Sequence, residues 1–194
     1  NNGTIQVGTS LNLPASFKIK NNGIIKDKDS STGGATYTFA GTYDNSSTGT
    51  LIVDDGSVTN TAAEITINNL TLKKSNTING TQKITVTNAT YTDSTNLAII
   101  GTVELPGVTN GNVTIGNVHT EGTTTFTSPY QLDTLTITNG TLTPAASSTN
   151  KINTRLTNNG TYTDSTGCTL QLADGATIDG TPTSGFNNLP NLTV

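Results

Sequence analysis

Catalysis and metal binding need reactive side chains gathered in one place, and this chain is sparing with them. It has one histidine, His119, and one cysteine, Cys168. A Ser–His–Asp relay or a zinc centre needs a histidine with partners in reach. No second histidine exists, and Cys168 lies far along the chain. Beside Thr169 and Leu170 it reads as a small strand residue facing a core. A single cysteine also rules out an intramolecular disulfide. Asp27, Asp29 and Ser31 set oxygens at alternating positions before Gly33, a spacing that suits Ca²⁺. The glycine comes one place late and no bidentate glutamate follows at the usual distance, so the claim to calcium is weak and the segment reads as a polar turn.

The remaining chemistry is thinner still. Asp54-Asp55-Gly56 and Asp174-Gly175 read as turns. Polysaccharide lyases need carboxylates clustered on one face, whereas the charged residues here fall in different phases. Thr-x-Thr pairs occur at Thr36/Thr38, Thr85/Thr87, Thr134/Thr136 and Thr181/Thr183. They would match ice only if stacked in one column, and these pairs share no phase. No catalytic residue, cofactor or metal centre is expected, and the chain reads as non-enzymatic.

Composition points instead to architecture. Of 194 residues, 31% are hydrophobic and 11% charged. A disordered chain replaces lost hydrophobicity with charge; this one replaces it with 43 threonines, 24 asparagines and 20 glycines. Threonine is β-branched and favours strands, while asparagine and glycine suit tight turns. Many short strands joined by many turns follow. The net charge of −4 and pI of about 4.7 give no basic footprint for nucleic acid. No apolar run reaches the ~20 residues of a membrane span. Without methionine, the chain has no initiator residue and no signal peptide of its own, and reads as a processed product or an excised segment.

A repeat organises the strands. Ile19, Tyr43, Ile67, Tyr91, Ile115, Ile137, Tyr162 and Phe186 recur at about 24 residues. Two places further on stand Asn21, Asn45, Asn69, Asp93, Asn117, Asn139, Asp164 and Asn188. Asn or Asp at every step predicts a turn ladder, with stacked amides bonding along an axis. The large residue two places earlier then points inward by strand alternation. The expected fold is all-β: one parallel β-helix over residues 1–194, of about eight coils of about 24 residues, right-handed as parallel crossovers are. The two ends share a phase and neither shows a cap, which predicts head-to-tail stacking of copies.

Thr66-Ile67-Asn68-Asn69-Leu70-Thr71-Leu72, Leu135-Thr136-Ile137-Thr138-Asn139-Gly140-Thr141-Leu142 and Phe186-Asn187-Asn188-Leu189-Pro190-Asn191-Leu192-Thr193-Val194 resemble the β-strand repeats of large prokaryotic surface proteins, adhesins and autotransporter-type passenger solenoids among them. The resemblance runs along nearly the whole chain and is mostly compositional. It implies an extracellular or cell-surface structural module, such as a stalk segment or a subunit of a filament or sheath, with no active site. The alternative is an adhesin module whose lateral face engages carbohydrate or a host surface. Exposed aromatics would favour that alternative, but the tyrosines fall in the inward column.

Overall fold

The computed structural model describes residues 1–28, 34–61, 63–92, 95–107, 115–163, 165–181 and 192–193, without the side chains of 45, 192 and 193. Alternation drives the local structure. In Thr50–Asp54 the buried residues are Leu51 and Val53, with Thr50, Ile52 and Asp54 on the other side. Along Asn96–Leu105 the same alternation runs from Leu97 to Ile99, breaks at Gly101 and resumes at Val103. Period-two burial interrupted at a glycine is the signature of a strand that turns a corner.

Each coil lays down three strands. The first coil has Thr4–Val7 on face A, Ser10–Leu13 on face B and Lys18–Asn21 on face C. Face A continues through Ile24–Asp27 and Thr50–Asp54, face B through Thr36–Phe39 and Ser57–Asn60, face C through Thr42–Asn45. From Ile65–Lys73 onward the strands lengthen and wrap the corners. Ser75–Tyr91 supplies one coil's faces B and C and the next coil's face A. Asn96–Leu105, Ile115–Phe126, Gln131–Thr143 and Thr149–Asn158 continue the path. Every pairing among the described strands is parallel. Stacked parallel coils make this a β-solenoid of about eight turns, with a rise of about 4.8 Å per coil. Among the described residues no helix is long and apolar enough to cross a membrane.

The register gives the true period. One outward column on face B runs Ser10, Thr36, Ser57, Thr77, Ala98, His119, Thr136, Thr157, Asp179. Its eight steps average about 21 residues, not 24. The inward column beside it runs Leu11, Tyr37, Val58, Ile78, Ile99, Thr120, Ile137, Asn158. Ile78, Ile99 and Ile137 are fully buried, each contributing about 1.5–3 kcal/mol. A core that is one side chain deep per strand needs few apolar residues per coil, which reconciles 31% hydrophobic content with a continuous interior.

The corner between faces B and C is built from backbone. Gly80, Gly101, Gly122 and Gly140 lie in register from coil to coil, and Gly160 continues the line against Gly140. A Cβ added at Gly140 would collide with the Gly122 carbonyl, and its φ of +79° is itself unfavourable for a side chain. Gly175 has nearly the same φ, +77°, with open space around it. Gly140→Ala is therefore expected to cost about 2–4 kcal/mol and Gly175→Ala about 1 kcal/mol. Urea denaturation of the two variants separates coil-to-coil approach from φ preference; equal losses would show that backbone approach plays no part.

Candidate functional site

Asparagine is used differently from the expected ladder. Asn21 does stand opposite Asn45. Beyond that the column dissolves: Asp44 pairs with Thr66, Asn69 with Thr50 and Asn88, Asn117 with Thr134, and Asn139 with Glu121. Asp93, Asp164 and Asn188 lie outside the described residues. The cause is the period. A lag of 24 slips about three residues per coil against a real mean of about 21, so the five described positions scatter over all three faces.

The buried asparagines instead cap corners one at a time. Asn21, Asn60 and Asn150 are fully buried, and Asn76 and Asn158 nearly so. Asn60 Nδ2 donates to the carbonyls of Ala63, Gln82 and Lys83. Asn158 Oδ1 accepts from Gly160 N at 3.1 Å, and Asn76 Oδ1 from Gly56 N at 3.1 Å. Corner backbone groups cannot join the sheet, and a buried one left unpaired is costly. Asn60→Ala should thus lose about 2–3 kcal/mol in chemical denaturation, while Asn139→Ala, exposed, should stay within about 0.5 kcal/mol. A reversed order would restore the ladder.

Asp27 also serves a corner. Its Oδ2 accepts from Ala35 N at 3.3 Å and Asp54 N at 3.0 Å, and its Oδ1 accepts from the Tyr37 hydroxyl. The carboxylate thus ties the end of Ile24–Asp27 to the start of Thr36–Phe39 and to Asp54 in the next coil. Asp29 and Ser31, its expected partners in a calcium loop, lie outside the described residues. Among the described residues no three of His, Cys, Asp and Glu cluster as metal ligands.

The five tyrosines are buried, but not in one column. Tyr43 stands over Ile19 on face C, Tyr91 over Leu72 on face A, and Tyr162 over Leu142 on face C. Their hydroxyls find internal partners: Tyr91 donates to Pro106 O at 2.7 Å, and Tyr130 and Tyr162 pair at 2.6 Å. Burial pushes Tyr43 up to about 12, opposed by its hydrogen bond with Asn21. Burial also raises Tyr37, Tyr91 and Tyr130, with the Asp27 hydrogen bond adding at Tyr37 and the Tyr162 phenol adding at Tyr130. Folded values above the ordinary phenol value near 10 leave stability unaffected below that pH and erode it as pH climbs past 10 toward 12 and beyond. Phenolate absorbance should therefore appear in one step with the loss of β-sheet circular dichroism. Tyrosines ionising singly near pH 10 in folded protein would contradict this burial.

The polar outward cluster lies on face B. Ser75 stands opposite Asn96, and Asn117 opposite Thr134. Asn96 Oδ1 accepts from both Asn117 N at 2.9 Å and Asn117 Nδ2 at 3.1 Å, while Thr134 Oγ1 donates to Asn117 Oδ1 at 2.6 Å. Two residues on, His119 Nε2 lies 3.0 Å from Glu121 Oε1, with Thr138 Oγ1 at 3.2 Å from the same nitrogen. Ser75, Asn96, Asn117 and His119 rim a shallow groove of about 360 Å³ floored by Leu97 and Ala98. Thr138 Oγ1 also lies 3.4 Å from His119 Nδ1, so one threonine hydroxyl straddles the ring edge while the carboxylate meets Nε2.

Thr36 and Thr136 do fall in one face-B column, but Ala98 and His119 interrupt it, while Thr85 stands on face C. Cys168 is buried against Asn150 Nδ2 at 3.1 Å. Comparison with protein-family models, with curated proteins and with solved structures finds no match to this chain.

Proposed function

We propose that the chain is a non-enzymatic structural module, a stiff rod segment that serves as an extracellular filament or sheath subunit or as the stalk of a surface adhesin. The observation that carries this reading is the parallel pairing that continues through eight coil steps along face B, with the glycine corner between faces B and C held by close backbone contact. Quasi-one-dimensional arrays of this kind transmit load along their axis because each coil bonds only its neighbours.

Head-to-tail association of copies belongs to the same proposal. Thr4–Val7, Ser10–Leu13 and Lys18–Asn21 each pair on one side, leaving an edge able to accept a further coil, whether of the same polypeptide or of a second copy. The surface placement rests on the compositional likeness to prokaryotic surface repeats. Electron microscopy and light scattering of concentrated protein should show rods or fibres that lengthen with concentration. A monomer that stays monomeric under those conditions removes the filament reading and leaves only the stalk.

A further inference from the structure

In the face-B groove polar side chains from successive coils flank a small apolar floor. We propose that the groove binds an extended, uncharged polysaccharide lying along the solenoid axis, in contact with Ser75, Asn96, Asn117, His119 and Glu121. The rod reading does not require this site, and the site does not require rod assembly, because its residues sit in the middle coils.

Three observations carry the assignment. First, the rim offers hydrogen-bond donors at regular intervals. Each primary amide has two N–H groups. Asn117 spends one on Asn96 Oδ1 and Asn96 one on Ser75 Oγ at 3.4 Å, so each retains a second, repeated at the coil rise of about 4.8 Å. Second, an acceptor stands beside the groove, beyond His119 on the same strand. The Glu121 carboxylate, fixed against His119, takes hydroxyl donors, giving the mixture of donors and acceptor that a polyol needs. Third, Ala98 forms a small apolar floor over the buried Leu97, and Ile100, half-buried, follows on the same outward side of the strand. A pyranose ring presents just such a pair of surfaces, a C–H face for the floor and hydroxyl edges for the rim.

Other ligand classes fit less well. Glu121 repels a phosphate backbone, and the groove brings no lysine or arginine to its rim. An added peptide strand needs an open sheet edge, whereas the strands beneath the groove are paired on both sides.

His119 supplies the test, since the only histidine yields one set of imidazole NMR signals. The whole chain would be titrated with cellohexaose, xylohexaose and chitohexaose as extended β-1,4 probes and with maltohexaose as the coiled counterpart. At least one extended probe should shift the His119 signals in a saturable way, with affinity at least about tenfold above maltohexaose. Asn96→Ala with Asn117→Ala should weaken that binding about tenfold or more. Ala98→Lys, an outward change that fills the floor without touching the amide row, should abolish it with the urea midpoint unchanged. Silence of the His119 signals with every extended probe overturns the proposal. So does parent-like binding by the Ala98→Lys protein, and maltohexaose bound as tightly as the best extended probe refutes the axial alignment.

Discussion

Everything in this molecule depends on backbones of successive coils meeting at the same corner. Parallel strands bond in register only if each coil turns where the last one did. At the junction of faces B and C the chain achieves this by leaving out side chains: Gly80, Gly101, Gly122, Gly140 and Gly160 bring carbonyl and Cα groups of adjacent coils so close that a methyl would not fit. Once that corner is fixed, strand alternation decides which residues face inward, and the columns of isoleucine, leucine and valine follow. Hydrophobic burial supplies most of the stability, but register is set by the places where nothing apolar can be inserted.

The second requirement is polar. Every corner strands N–H and C=O groups that the parallel ladder cannot reach. Asn21, Asn60, Asn76, Asn150 and Asn158 meet it from inside, and Asp27 does the same for the amides of Ala35 and Asp54. This explains how coil length varies from 17 to 26 residues along the face-B column without breaking the sheet. A buried amide accommodates whatever local path the corner takes, because it presents both donor and acceptor. A stacked ladder would instead demand one identical turn in every coil, and the sequence does not keep one.

The fold class was legible because composition and alternation act locally: threonine-rich strands, asparagine and glycine turns, and too little charge for disorder all speak within a few residues. The period was not. Ile19 and Tyr43 are true neighbours separated by 24 residues, but they flank one of the longer coils, and carrying that lag forward moved Tyr91 to face A and Ile137 to face B. They stayed inward, because core-facing columns exist on every face, so the wrong column still looked apolar. The better signal was in glycine. Gly80-Thr81, Gly101-Thr102, Gly122-Thr123, Gly140-Thr141, Gly160-Thr161 and Gly180-Thr181 recur at about 20 residues. The groove was hidden by the same error, since Asn96, Asn117 and His119 meet only when the correct lag is applied.

Inward and outward positions therefore answer to different constraints. An inward residue is held by the coils above and below, and even a small volume change propagates along the axis through close packing. An outward residue answers only to its neighbours on the same face, so the outer columns are free to diverge: Ser10, Thr36, Ser57 and Thr77 give way to Ala98 and His119 and return to Thr136 and Thr157. That break is where the groove lies. A small residue at Ala98 lowers the surface by most of a side chain, and the flanking amide row stands proud of it. On so regular a scaffold a recess needs no loop or insertion. One short side chain between Thr77 and His119, beside a standing amide row, is enough, and the rigidity of the corners keeps the recess open.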